Sequence, residues 1–154
     1  MKKVCFVLVA FSLIIASCSK GGGGSTPVTP TPPPPVVVAE SDITFKVEVD
    51  NKEVDYTTYT AALSASQPVN VNVTSTPFPK DGVTIDLTVK KDLDNASIFS
   101  DSKVGTIAAT NSVTINNLTP GVPCTATVLV TSKTLDPVSK TYKSFSKTFK
   151  IARK

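Results

Sequence analysis

Val83-Thr84-Ile85-Asp86-Leu87-Thr88-Val89-Lys90 sets an aliphatic residue at every odd position and a polar one at every even position. Successive side chains leave a pleated strand on opposite sides, so this period of two predicts a strand with one buried and one wet face. The same period recurs outward from here in both directions. Upstream, Val69, Val71 and Val73 face inward around Asn70 and Asn72, and Pro77-Phe78-Pro79-Lys80-Asp81-Gly82 supplies a loop with its own turn chemistry. Further upstream, Ile43, Phe45, Val47 and Val49 alternate with Thr44, Lys46 and Glu48. Asp50-Asn51-Lys52 then predicts a tight turn into a second strand through Val54 and Tyr56. Tyr59, Ala61 and Leu63 have the opposite parity, which requires a bulge or bend before them.

Downstream, Asp92 to Lys103 reads as a polar connection and Val104 to Thr110 as a weaker strand. Val113 and Ile115 start another; Ala126, Val128 and Val130 line an inner face; Phe145, Phe149 and Ile151 close the chain. No helical stripe competes with this pattern. Seven or eight short strands within about 115 residues predict an all-β, two-sheet sandwich.

One segment refines the class. Asn117-Leu118-Thr119-Pro120-Gly121-Val122-Pro123-Cys124-Thr125-Ala126-Thr127-Val128 resembles the corner of a fibronectin type III domain, where a Leu-x-Pro-Gly turn precedes the strand that opens with a tyrosine. Leu118, Pro120 and Gly121 match, while Cys124 stands at the tyrosine's place. A thiol cannot reproduce the phenolic hydrogen bond, so packing is expected to hold this corner. The core tryptophan of that class is missing as well, since the chain has none. The resemblance, to the fibronectin type III or immunoglobulin-like class, covers residues 65 to 152 and implies an immunoglobulin-like sandwich.

The chain ahead of the sandwich has a different character. Met1-Lys2-Lys3 is basic, and Val4 to Ile15 is apolar apart from Ser12. A dozen residues at ~1.5 Å each fall well short of the ~30 Å hydrocarbon core, so this is a signal-peptide core rather than a membrane span. Ile15, Ala16, Ser17 and Cys18 then match the lipobox of bacterial lipoproteins at each position. That resemblance, of the kind found in Bacteroidota, implies recognition of Ile15, Ala16 and Ser17 by a signal peptidase and cleavage before Cys18. It also implies a diacylglyceryl thioether on the Cys18 sulfur and acylation, by palmitate, of the new amino terminus. Several acyl chains suffice for stable membrane residence. The alternative is an ordinary secretory leader cut elsewhere. Ser19 rather than Asp beside the cysteine favours the outer membrane, with the membrane face left open.

Gly21 to Val38 carries no hydrophobic periodicity. Gly21 to Ser25 is expected to be flexible coil, and the proline-rich run Thr26 to Pro35 extended polyproline II of about 30 Å. It reads as a spacer; a ligand for a proline-recognition domain is the rival reading. The expected organisation is thus a signal peptide over 1–17, a lipidated cysteine with a disordered Gly/Pro linker over 18–40, and a sandwich over 41–154.

Composition narrows the chemistry. Two charges of the net +4 belong to Lys2 and Lys3, leaving +2, a mild surplus that argues against a nucleic-acid partner. The chain has no histidine, which removes the commonest general base and any Ser-His or Cys-His nucleophile pair. Cys124 shares parity with Ala126 and Val128 and is expected to be a small buried hydrophobe rather than a reactive thiol. Asp92-Leu93-Asp94-Asn95 offers oxygens to calcium but lacks the spacing of a known loop, so a solvated turn is the better reading. Pairs such as Glu48 with Asp50, or Glu53 with Asp55, could in principle serve a glycosidase, but they sit beside a predicted hairpin turn rather than in a cleft.

Lysines crowd the end of the chain. Lys143, Lys147 and Lys150 are candidates for contact with anionic material; edge protection against aggregation is the alternative. No cofactor or metal is implied. The expectation is a non-catalytic, lipid-anchored envelope protein that binds a glycan or a protein partner, with a structural subunit of a larger assembly as the alternative.

Overall fold

The computed structural model describes residues 34–105 and 110–154. In chain order the strands are β1 (Phe45–Val49), β2 (Lys52–Glu53), β3 (Tyr59–Ala62), β4 (Gln67–Val73), β5 (Val83–Lys91), β6 (Ser97–Gly105), β7 (Asn111–Ile115), β8 (Pro123–Leu135) and β9 (Tyr142–Arg153). They form a four-stranded sheet in the order β2-β1-β4-β7 and a five-stranded sheet in the order β3-β9-β8-β5-β6. Neighbours pair antiparallel except β3, which runs parallel to β9. The protein is an all-β sandwich, with no helix among the described residues.

Alternation builds the core. Val47, Val69 and Val71 from one sheet meet Ile85, Leu87, Val89, Val128 and Phe149 from the other in a single buried cluster. Cross-strand register sets the rows: Val89 lies opposite Ala126, which lies opposite Phe149. Among the described residues every core side chain falls between Ile43 and Ile151, within the compact unit Pro35–Lys154. Asp50 and Asn51 both take positive φ, 51° and 61°, between the paired residues Val49 and Lys52. That is the two-residue hairpin turn whose twist matches its strands, and Asp and Asn tolerate it better than most residues.

The structure departs from the sequence expectations at several places. Ser97–Gly105, expected to be largely connection, is strand β6. It lies at the edge of its sheet, so its polar side chains meet solvent on both sides and no alternation marks it. Of the weaker strand expected from Val104 to Thr110, only Val104 and Gly105 fall in β6, and residues 106–109 lie outside the described residues. The second strand ends at Glu53; Val54 is buried, and Tyr56 stands in the turn beyond.

The inward parity expected at Tyr59, Ala61 and Leu63 is not found: the chain crosses there from the four-stranded sheet to the five-stranded one, Ala62 enters the core, and Tyr59 and Leu63 are exposed. Phe145 does not close the core, being 49% exposed where Phe149 is 1% exposed. With the two short strands β2 and β3 counted, the described residues hold nine strands, against the seven or eight expected.

The long strands give the sandwich two ends, roughly 30 Å apart along β5. The leading segment 34–44 docks at one of them, beside the loop that joins β8 to β9. The Asp50-Asn51 turn and the Asp92–Asn95 turn mark the other.

Candidate functional site

At the far end, register on three strands gathers one polar row. Thr125 of β8 lies opposite Lys150 of β9, which lies opposite Tyr59 of β3. Asp92, just past β5, reaches into this row. Its Oδ1 accepts from the Thr125 hydroxyl at 2.5 Å, and its Oδ2 from the Tyr59 hydroxyl at 2.7 Å and the Lys150 ammonium at 3.0 Å. Lys150 also donates to Thr125 Oγ1 at 2.8 Å. The Thr125 hydrogen bond, helped by Tyr59 and Lys150, holds the Asp92 carboxyl below its ordinary value against the opposing effect of burial. The same contacts with Asp92 push the Lys150 ammonium and the Tyr59 phenol up. Beside the row lies an open depression of about 330 Å³ lined by Thr88, Lys90, Asn95, Thr125 and Thr127. The site is rich in fixed donors and acceptors.

At the leading end, Asp136 is 1% exposed and ties three segments together. Its Oδ1 accepts from the backbone N–H of Val138 at 2.8 Å and of Ser139 at 2.7 Å, closing the β8–β9 loop as an Asx turn. Its Oδ2 accepts from the Glu40 N–H at 3.1 Å, which pins the leading segment. These backbone donors, Ser139 first, hold the carboxyl below its ordinary value although burial opposes them. Lys143 lies 3.0 Å from Asp42 and 3.9 Å from Asp136, and the Asp42 contact raises its pKa. Next to this knot a groove of about 450 Å³ opens between Ile43, Phe45, Lys143, Phe145 and Lys147. The Phe45 and Phe145 rings meet edge to face at 6.1 Å, and the Lys147 ammonium sits 5.4 Å from the Phe45 ring and 5.0 Å from that of Tyr56.

The three candidate lysines do not share one surface. Lys147 lies opposite Val128, a core residue, and so projects on the inner side of its sheet at the leading end. Lys150 has the other parity and projects on the outer face at the far end. Lys143 and Lys150 are both paired with carboxylates. Lys147 is held over aromatic rings instead. Ile15, Ala16, Ser17 and Cys18 lie outside the described residues.

Other sequence candidates resolve as follows. A shallow groove of about 480 Å³ includes Asp50, Glu53 and Asp55 in its lining. Asp50 accepts from the Gln67 amide at 3.0 Å, Glu53 pairs with Lys46 at 3.3 Å, and Asp55 accepts from the Thr57 hydroxyl and N–H. The Thr57 contacts lower the Asp55 pKa, as hydrogen bonding lowers those of Asp92 and Asp136. A general acid at neutral pH needs the opposite shift. Among the described residues no three metal-ligating side chains gather, and Asp94 accepts from the Ala96 N–H. Cys124 is buried, and burial raises its thiol pKa.

The fibronectin-like corner is held by more than packing. Leu118 enters the core, Gly121 takes φ +70° and donates to the Arg153 carbonyl, and the Arg153 guanidinium donates to the Leu118 carbonyl at 3.3 Å. Arg153 thus ties down the turn from the end of β9.

The sequence reading missed the Asp92 row and the Asp136 knot. Asp136-Pro137-Val138-Ser139 carries a turn signature that marks the second. The first depends on the parallel pairing of β3 with β9, for which no local signal exists. The chain matches no protein-family model, no curated protein and no solved structure.

Proposed function

We propose that this chain is a lipoprotein of the bacterial outer membrane, anchored through lipid on Cys18, whose sandwich binds a glycan or protein partner without catalysis. The observation that carries the reading is the placement of the two ends. The segment leading from Cys18 docks on Asp136 at one end, which leaves the Tyr59–Asp92–Thr125–Lys150 row presented at the other.

That row suits a polyhydroxylated ligand. An ionised carboxylate, an ammonium and hydroxyls are held in fixed positions on an open face, with the half-exposed Tyr59 ring beside them to pack on a sugar. The strand order supports the immunoglobulin-like class. β1, β4 and β7 occupy the places of strands A, B and E, and β5, β6, β8 and β9 those of C, C′, F and G.

The tests separate anchor from binding. Mass spectrometry of the native chain should find acyl chains on Cys18, and Cys18→Ser should move the chain out of the membrane fraction. A glycan array and an envelope pull-down with the sandwich should give a partner that Asp92→Ala loses. Blanks in both would overturn the binding reading.

A second reading, a structural subunit of an envelope assembly, has in its favour the edge of β9 from Tyr142 to Thr148, which pairs with no strand on its outer side among the described residues. Native gels of detergent-solubilised envelope showing only a solitary chain would count against it. A carboxylate hydrolase has only the Asp50–Glu53–Asp55 groove to recommend it, and requires a turnover that one carboxylate substitution abolishes.

A further inference from the structure

We infer that the β8–β9 hairpin tip is a lipid-contacting element, which dips into the surface of the bilayer that holds the chain's own anchor. The inference rests on the reading of Cys18 as lipidated.

Large apolar side chains exposed to water are scattered on most proteins and need no account; a cluster on one projecting element does. Here the ladder of β8 with β5 stops at Ser132, Lys133 and Thr134 stay bonded to Gly82 and Asp81, and β8 and β9 then continue alone to the Leu135–Tyr142 pair and the loop. In that extension Leu135 and Tyr142 form a cross-strand pair, Val138 sits in the loop, and all three are about half exposed. Phe145 lies below them at the mouth of the groove, and the exposed valines Val36 to Val38 lead into Glu40 beside Asp136. Seven of the 13 large apolar residues exposed among the described ones therefore belong to this end. The sandwich core does not use them.

Two further observations choose a bilayer as the occupant. The first is where the chain leads. The 15 residues between Cys18 and Pro34 span at most ~55 Å when fully extended, and they join the sandwich at the hairpin rather than at the far end. A lipid on Cys18 would thus bring this end to the surface first, at an effective concentration in the millimolar range. An affinity too weak to recruit a free domain is then enough to hold a tethered one.

The second is chemical composition. The same stretch of chain carries Lys133, Lys140, Lys143 and Lys147, the last two lining the groove beside Phe145, and with Tyr142 this is the mixture that favours the headgroup layer. Glu40, Asp42 and Asp136 offset part of this charge, so apolar insertion dominates and salt should weaken it only modestly.

The chain has no tryptophan, so a single introduced indole reports its own surroundings. The experiment places lipidated Tyr142→Trp chain in phosphatidylethanolamine–phosphatidylglycerol vesicles whose acyl chains carry bromine. A Leu93→Trp chain, altered at a residue 92% exposed at the far end, serves as control. The expected result is a blue-shifted, bromine-quenched emission from the first and a water-like, unquenched emission from the second. Equal behaviour of the two reporters, quenched or not, overturns the proposal.

Replacing Leu135, Val138 and Tyr142 together by serine, with a reporter at Ser139→Trp, should lower the quenched fraction on the order of tenfold or more, since each exposed half side chain is worth roughly fivefold in partition. Circular dichroism and thermal melting check that this variant folds. Should mass spectrometry find Cys18 bare, the anchor reading fails and the tether that raises the local concentration goes with it, leaving the hairpin's own affinity for lipid to be measured. The sandwich over 34–154, which contains every core side chain among the described residues, then decides the hairpin question at high vesicle concentration. Quenching there of the Tyr142→Trp reporter sustains the proposal, and its absence overturns it.

Discussion

Phe145 and Phe149 offer a sharp test of the packing, because they are the same residue on the same face of β9, one of them 49% and the other 1% exposed. Phe149→Ala removes a fully buried ring at the β9 end of the row Val89–Ala126–Phe149, where the paired β8 backbone resists collapse into the space. The expected loss is about 3–5 kcal/mol. Phe145→Ala removes a ring already half in water. The buried half is worth about 1 kcal/mol, and the edge-to-face contact with Phe45 adds ~0.5–1.5 kcal/mol, so the loss stays near 2 kcal/mol.

Against a total stability of about 5–15 kcal/mol, the first variant should melt roughly 10–20 °C below the parent and the second roughly half as far below it. Urea unfolding of the sandwich, followed by far-ultraviolet circular dichroism with the slope held common, measures both. Equal losses, or a larger loss at Phe145, would refute the assignment of Phe149 to the core and of Phe145 to its open margin.

Three further outcomes follow from the same structure. Asp92 and Asp136 are held below their ordinary value of 3.8, so their contribution to stability is complete above that pH and disappears as the pH falls through their folded values. Lys150 is held above 10.5, so its share persists below that pH and is lost only as the pH rises past its folded value. Melting temperatures across pH should accordingly show acid loss starting below 3.8, and Asp92→Asn should flatten that limb. Gly82→Ala forces a side chain into φ +83° with the new Cβ 3.1 Å from the Gly105 carbonyl oxygen, whereas Gly121→Ala at φ +70° meets nothing within 4 Å. Both should lose at least about 1 kcal/mol, Gly82→Ala the more, as urea midpoints would show. Cys124, buried with a raised pKa, should react with a thiol reagent in the 34–154 sandwich only at the rate of unfolding.

The strands that bury one face announced themselves. β1, β4, β5, β7 and the first half of β8 each show an unbroken alternation because one sheet face is dry and the other wet. β6 did not, since an edge strand without a consistently buried side has no reason to alternate. Phe145 misled because alternation gives direction, not depth: it points the same way as Phe149 yet meets the opposite sheet only at the open groove, edge to face with Phe45. The Asp92 row was hidden for a different reason. Tyr59, Asp92, Thr125 and Lys150 come from four separate stretches, and only the register of β3, β8 and β9 brings them together. Residue spacing carries no record of such a meeting.

The Asp136 knot also fixes how the molecule bears load. A pull arriving through Glu40 passes along the axis of β1, whose five rungs with β4 run from Phe45 to Val49 away from the point of attachment. Tension directed down a strand strains all its rungs at once, in shear, instead of parting them one after another like a zip. Drag on a captured partner at the far end would thus meet the stiffest direction the sheet possesses.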